Sequence, residues 1–166
     1  MALLDEQLVE EWLNRKNFFT IRGLKTGVDE IDLLAIRQGK DGLECWHVEV
    51  QVSFRPVGYV CGDSSAKKRN DNELLEGVVL WVQKKFKSDK KIAKRDSVLA
   101  GANWKYVFVH GVVRDTRELE HIKGRDIELI TYKQVLEDLR DDEATQSSSA
   151  ANNIVELLRF MQQPLD

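Results

Sequence analysis

Two apolar segments joined by a short turn place the strongest constraint on the fold of this 166-residue chain. The segments, residues 30–37 and 44–52, read EIDLLAIR and ECWHVEVQV, and the turn between them is QGKDG. Alternating strands around a glycine-containing turn are typical of an antiparallel β-hairpin. Yet Asp32, Glu49 and Gln51 lie inside these strands, where a buried charge is costly unless it has a partner.

Side chains alternate across a strand, so Glu49 and Gln51 share the face opposite Val48 and Val50. The valine face is expected to join the core, and the Glu49 face must then meet something polar. Asp32 can lie beside Glu49 if the register of the hairpin allows it. The alternative is a pair of surface acids that the alternation merely exposes to water.

Two neighbouring carboxylates repel each other and raise the pKa of at least one of them. A divalent cation removes this penalty, and Mg²⁺ prefers oxygen ligands such as one or two carboxylates. The backbone carbonyl of Val50 lies between Glu49 and Gln51 and offers a further oxygen. The hairpin therefore predicts a Mg²⁺ or Mn²⁺ site formed by Asp32, Glu49 and Val50.

Hydrophobic spacing in the rest of the chain predicts alternating helices and strands. Helices are predicted at about 3–16, 72–86 (continuing as helix or loop to about 99), 117–122, 132–140 and 154–161, and further strands at 18–22, 104–113 and 127–131. This order indicates an α/β or α+β domain with a mixed sheet and helices on its faces. We expect a domain over 1–140, a linker-like segment over 141–153, and a C-terminal amphipathic helix within 154–166.

The spacing of Asp32 and Glu49-Val50-Gln51, in a hairpin that follows an N-terminal helix, resembles the PD-(D/E)xK nuclease superfamily. The phrases EIDLLA and HVEVQ carry this resemblance, which covers about residues 4–110. It implies a restriction-endonuclease-like αβββαβ core in which Asp32 and Glu49 bind the metal. Gln51 stands where the family usually has lysine, and would orient the attacking water. A glutamate of the first helix often completes such sites, and Glu6 is favoured here over Glu10.

Charge is unevenly distributed, although the net charge is only −3. Residues 84–95, KKFKSDKKIAKR, hold seven basic residues and one acid. Either this run is a solvated helical face or it contacts phosphates. The predicted nucleic-acid contacts are Arg55, Lys67, Lys68, Lys84 and Lys85.

Other classes of protein are disfavoured by the sequence. The acidic N-terminus is unlike a targeting peptide, no apolar run reaches the length of a membrane span, and two cysteines make no disulfide framework, so a cytoplasmic protein is expected. No Walker motif or nucleophile elbow is present. A Mg²⁺- or Mn²⁺-dependent nuclease acting on DNA is the leading prediction. The alternatives are a weak or inactive module that binds nucleic acid or a protein, and an assembly protein that forms a homodimer through the last helix.

Overall fold

The structure is a computed structural model that describes residues 2–62, 67–142 and 150–162. The helices are α1 (Ala2–Arg15), α2 (Asp71–Val82), α3 (Asp89–Val98), α4 (Arg117–Lys123), α5 (Tyr132–Asp141) and α6 (Ala150–Phe160), with a π-helical turn at Gln83–Lys87. The strands are β1 (Phe19–Thr26), β2 (Asp29–Gly39), β3 (Gly42–Gln51), β4 (Trp104–His110) and β5 (Ile127–Thr131). No helix within these described ranges is long and apolar enough to cross a membrane.

The strands form one mixed sheet in the order β1-β2-β3-β4-β5. Strands β1, β2 and β3 are antiparallel neighbours, whereas β4 pairs in parallel with β3 and β5 in parallel with β4. The predicted mixed α/β domain with helices on both faces of its sheet is therefore confirmed. The predicted hairpin is formed by β2 and β3 and is longer than predicted, because pairing continues to Gly39 and Gly42 around a two-residue turn. Gly42 has a φ of 130°.

The first face of the sheet is covered by α1, α5 and α6. Its core contains Leu33, Ala35, Val48, Val107 and Val109 from the strands, packed against Leu8, Val9, Leu13, Val135, Leu139 and Val155 from the helices. The valine face of β3 thus joins the core, as the alternation predicts.

The last helix packs on its own domain through Ala151 and Val155. It begins at Ala150, earlier than the periodicity suggests, and Leu157, Phe160 and Met161 are exposed on its outer side. Residues 143–149, the greater part of the predicted linker-like segment 141–153, lie outside the described residues.

The second face of the sheet is covered by α2, the π-helical turn, α3 and α4. Trp81, Phe86 and Phe108 form the centre of this layer. Gly77 of α2 is needed for close packing, because a Cβ atom there would lie 2.6 Å from the carbonyl oxygen of Cys61. Glycine has a low helix propensity, but at this position it lets α2 pack closely against the preceding loop.

Helix α2 begins at a capping box. The side chain of Asn70 accepts a hydrogen bond from the Glu73 N–H, and the Glu73 carboxylate accepts one from the Asn70 N–H. Two of the N–H groups at this helix end are thereby satisfied. This local signal starts the element that leads into the π-helical turn.

A buried glutamate of α4 holds the loop that follows β3. Both oxygens of Glu118 accept hydrogen bonds from backbone N–H groups, at 3.1 Å from Val60 and 2.9 Å from Cys61. Glu118 is fully buried and so is Cys61, so the Cys61 amide has no water as a substitute partner. This contact anchors the loop to the second face of the sheet.

Replacing Glu118 with alanine is expected to lower the free energy of unfolding by about 2–4 kcal/mol, because the buried Cys61 amide and the partly buried Val60 amide both lose their acceptor. Urea unfolding measures the change. Glu120→Ala, at an exposed position of the same helix, is the matched control. A loss no larger than that of the control would show that the loop is held by other contacts.

Candidate active site

Asp32 and Glu49 come together because of the register between β2 and β3. The last pairs of this ladder are Leu34 with His47 and Leu33 with Val48, and Asp32 and Glu49 are the next residues along the two strands. The two carboxylates are close enough for their charges to interact. Residues directly opposite each other in an antiparallel pair point to the same face. The hairpin thus brings the two predicted acids near each other, but Glu49 is not among the carboxylates whose oxygens lie close enough to Asp32 to share one ion.

The backbone pairing between β2 and β3 ends at Leu33 and Val48, and beyond it the Asp32 side chain bonds to β3. Its Oδ2 accepts a hydrogen bond of 2.8 Å from the N–H of Val50. The N–H and C=O of one strand residue point to the same side of the strand. The carbonyl of Val50 is therefore directed toward Asp32, as a third metal-binding oxygen would have to be.

Two glutamates join Asp32 at the end of the hairpin. One carboxylate oxygen from each of Glu6, Glu30 and Asp32 lies within 4.8 Å of the others. Glu10, the alternative to Glu6, instead forms an ion pair of 3.0 Å with Arg22 and accepts a hydrogen bond from Thr20. Of the two helix glutamates, the structure thus places Glu6 in the carboxylate cluster.

Glu30 was not among the predicted site residues. It lies two positions before Asp32 on the same strand, and the period-2 alternation that selects Asp32 also selects it. The signal was therefore present in the sequence. Glu30 also pairs with Lys25 of β1, which gives it a second neighbour at the hairpin.

The surroundings of Asp32 raise the pKa of its carboxyl group. Burial, and then the neighbouring carboxylate of Glu49, raise the pKa of Asp32 to about 7, against the opposing ammonium of Lys85. Burial also raises the pKa of Glu6, with Glu30 adding to the effect. Repulsion among the carboxylates is the condition that a bound cation would relieve.

Glu49 is ionised in the same place because cations surround it. Its Oε2 lies 2.8 Å from Lys85 Nζ, and its Oε1 lies 2.6 Å from Lys91 Nζ and 2.9 Å from His47 Nε2. Burial would raise the pKa of Glu49, but the His47 hydrogen bond and the Lys85 and Lys91 ammonium groups outweigh it and hold this pKa well below its usual value. Only 1% of Glu49 is exposed.

Lys85 supplies an ammonium group whose charge acts on both acids. It lies in the π-helical turn, and the charges of Glu49 and Asp32 raise its pKa although burial opposes them. Gln51, which stands at the usual lysine position, is exposed. Its backbone carbonyl accepts a hydrogen bond from the N–H of Gly111. A lysine from the π-helical turn therefore contacts Glu49, whereas β3 itself carries only the neutral amide of Gln51 at the usual lysine position.

Three basic residues of the run 84–95 point inward, namely Lys85, Lys91 and Arg95. Sequence reasoning did not separate them from their neighbours. Lys84, Lys87 and Lys90 are exposed, and so are Arg55, Lys67 and Lys68 from the predicted nucleic-acid contacts. Lys67 forms an exposed ion pair with Glu73. The assignment of Arg55, Lys67, Lys68, Lys84 and Lys85 to nucleic acid stays a prediction.

Comparisons with known proteins assign no relative to this chain. No protein-family model matches it, and neither a curated protein nor a solved structure does. Its function is therefore inferred from the site.

Replacing Asp32 with asparagine is expected to change how stability depends on pH in EDTA. The pKa of Asp32 is about 7 in the folded chain and about 3.9 in the unfolded chain, so folding retains a proton between these values. Wild-type stability should then fall relative to Asp32→Asn as pH rises from about 4 to 7, by up to about 1.4 kcal/mol per pH unit, and level off above.

Urea unfolding at half-unit pH steps measures this difference. Asp41→Asn, an exposed position in the turn between β2 and β3, is the matched control. A pH-independent difference between wild type and Asp32→Asn would contradict the raised pKa.

Proposed function

We propose that this chain is a nuclease that hydrolyses phosphodiester bonds in DNA and depends on Mg²⁺ or Mn²⁺. The observation that carries the proposal is that β2 and β3 bring Asp32 near Glu49 and Val50, where the Asp32 carboxylate interacts with the charge of Glu49 and accepts a hydrogen bond from the Val50 N–H. The order α1-β1-β2-β3-α2 followed by β4 supports a restriction-endonuclease-like core, because it has the αβββαβ order implied by the resemblance.

The residues present fit a hard divalent cation. Carboxylates of Asp32, Glu6 and Glu30 and the carbonyl of Val50 are oxygen donors of the kind that Mg²⁺ and Mn²⁺ take. Asp32 and Glu49 would hold the ion, and Glu6 would reach it through a water. The raised pKa of Asp32, which burial and then the Glu49 carboxylate cause, supports this assignment, since a bound cation would offset both effects.

Such an ion would lower the pKa of a bound water and shield the charge of the phosphodiester. Lys85 would place its ammonium beside the phosphate oxygens as negative charge develops there. Gln51 is exposed next to Glu49 on β3 and would orient the attacking water through its amide. The exposed Arg55, Lys67, Lys68 and Lys84 would contact the DNA backbone, with an affinity that falls as salt rises.

The rival function is a nuclease-fold module that binds nucleic acid or a protein without cleaving it. One observation favours it: both oxygens of Glu49 already accept from ammonium groups, Oε1 from Lys91 and Oε2 from Lys85. Glu49 then has its charge neutralised by the chain itself. In this case the Asp32 cluster would be left without a catalytic partner.

Purified protein should cleave plasmid, linear or branched DNA when Mg²⁺ or Mn²⁺ is supplied, and EDTA should stop the cleavage. Asp32→Ala and Glu49→Gln should each lower the rate by at least about 100-fold, because each removes a charged donor to the ion. Glu128→Gln, an exposed acid on β5, is the control for the acid substitutions. Equal cleavage by wild type and Asp32→Ala would reject the proposal.

Calorimetric titration with Mn²⁺ separates the enzyme from the binding module. A nuclease should release or absorb heat at one site per chain, with an affinity that Asp32→Asn and Glu49→Gln both reduce. DNA binding without any Mn²⁺ heat would favour the rival. Lys85→Met sharpens the comparison, because cleavage should fall while Mn²⁺ binding persists; Lys123→Met, at an exposed position of α4, is its control.

A further inference from the structure

We propose that Arg95 is a positioning residue of this site, acting through His47 on Glu49 and through the Phe86 carbonyl on the turn that carries Lys85. Its consequence for catalysis rests on the proposed function. The hydrogen-bond arrangement on which it is built does not, and can be measured separately.

The contact between Arg95 and His47 selects one form of the imidazole. Arg95 Nη1 lies 2.9 Å from His47 Nδ1. A guanidinium can only donate, so Nδ1 must be the accepting nitrogen and the ring proton must lie on Nε2. His47 is therefore the neutral Nε2–H tautomer, whose N–H points at Glu49 Oε1, 2.9 Å away.

This tautomer decides which oxygen of Glu49 remains for the site. Oε1 accepts from both His47 Nε2–H and Lys91 Nζ. Oε2 is directed toward Lys85, whose side chain is 28% exposed and so borders solvent. With the opposite tautomer, a bare Nε2 lone pair would face Oε1, and Glu49 would lose one of the three hydrogen bonds that hold its carboxylate.

The same guanidinium holds the π-helical turn. Arg95 Nη1 also donates to the carbonyl oxygen of Phe86 at 2.7 Å. Phe86 lies near the end of the turn, where the chain becomes extended at Ser88 and backbone carbonyls lose their helical partners. Phe86 is the immediate neighbour of Lys85, so this bond fixes the stretch of backbone from which the lysine reaches Glu49.

His47 and Arg95 are shielded from water, so water cannot replace the hydrogen bonds that Arg95 makes. His47 is fully buried and Arg95 is 4% exposed. Arg95 Nη2 is held in turn by the hydroxyl of Tyr106 at 3.2 Å. Without the guanidinium, neither His47 Nδ1 nor the Phe86 carbonyl would have solvent as a substitute donor.

Nitrogen NMR of the imidazole rings tests the tautomer directly, in EDTA and without any activity. The chain has three histidines, which keeps the spectrum simple. His47 should give a protonated Nε2 and a bare Nδ1. His110 is an internal control of the opposite kind, because its Nδ1 lies 2.8 Å from the Gly111 carbonyl and must donate there.

Arg95→Met should give His47 a mixture of tautomers and leave the His110 signals unchanged. Arg95→Lys keeps a donor for Nδ1 and should restore the Nε2–H form. Unchanged His110 signals also report that each variant is folded. A wild-type His47 protonated on Nδ1, or an Arg95→Met spectrum like that of wild type, would overturn the inference.

The catalytic consequence is read from kcat and KM for DNA separately. Arg95→Met should lower kcat by about 10- to 100-fold, as for other residues that orient a metal ligand, with little change in KM, and Arg95→Lys should recover most of the loss. Arg140→Met, at a partly exposed cation of α5 that pairs with Asp141, is the control. A rise in KM with kcat intact would show that Arg95 affects DNA binding and not the chemical step, and would overturn the positioning role.

Failure of the two proposals can be distinguished. A wild-type protein without any cleavage rejects the nuclease proposal, and the NMR result then decides by itself whether Arg95 sets His47. Cleavage that depends on Asp32 but is equal in wild type and Arg95→Met retains the nuclease and rejects the role of Arg95.

Discussion

The ion pair between Glu49 and Lys91 is the interaction on which the second face of the sheet depends. Both groups are almost completely buried, and an unpaired charge in such a place costs several kcal/mol. Removing one partner of a buried pair is typically far more costly than replacing both. Glu49 therefore constrains where α3 can dock, because Lys91 must reach it from that helix.

The two acids of the hairpin, Asp32 and Glu49, have pKa values shifted in opposite directions. Glu49 is surrounded by cations that lower its pKa, whereas burial and neighbouring carboxylates raise the pKa of Asp32 to about 7. Neighbouring carboxyl groups with opposite shifts are a recurrent sign of a functional site. In this chain the asymmetry arises because Lys85 and Lys91 reach from the helical layer and contact the Glu49 carboxylate directly, whereas Asp32 accepts a hydrogen bond from the Val50 N–H.

Strand β3 differs from an ordinary core strand because one of its faces carries buried polar side chains. One face of β3 packs Val48 among apolar residues, and the other presents His47 and Glu49 to a buried network of cations. Buried polar networks are stable only when their members are satisfied. Here Arg95 donates to His47 and Lys91 donates to Glu49, which meets this requirement. One face of the sheet is therefore apolar, and the other carries a polar network.

Local pattern was enough to predict the hairpin, the order of the elements and the candidate pair Asp32 and Glu49. Alternation in a strand has a period of two, so a short stretch of sequence states which residues share a face. Glu30 could have been found by the same rule. Helix α1 likewise follows from its spacing, and with it the preference for Glu6 over Glu10, because the periodicity of a helix is also a local property.

The partners of Glu49 could not be obtained in this way. Lys85, Lys91 and Arg95 lie in a run where nearly every position is basic, so periodicity does not distinguish an inward cation from an outward one. Their direction depends on the π-helical turn at Gln83–Lys87, which changes the rotation of the helix just before α3. The sequence by itself determined which strand face carries the acids. Only the tertiary structure decided which cations meet them, because those contacts join residues about 40 positions apart through the docking of one layer on another.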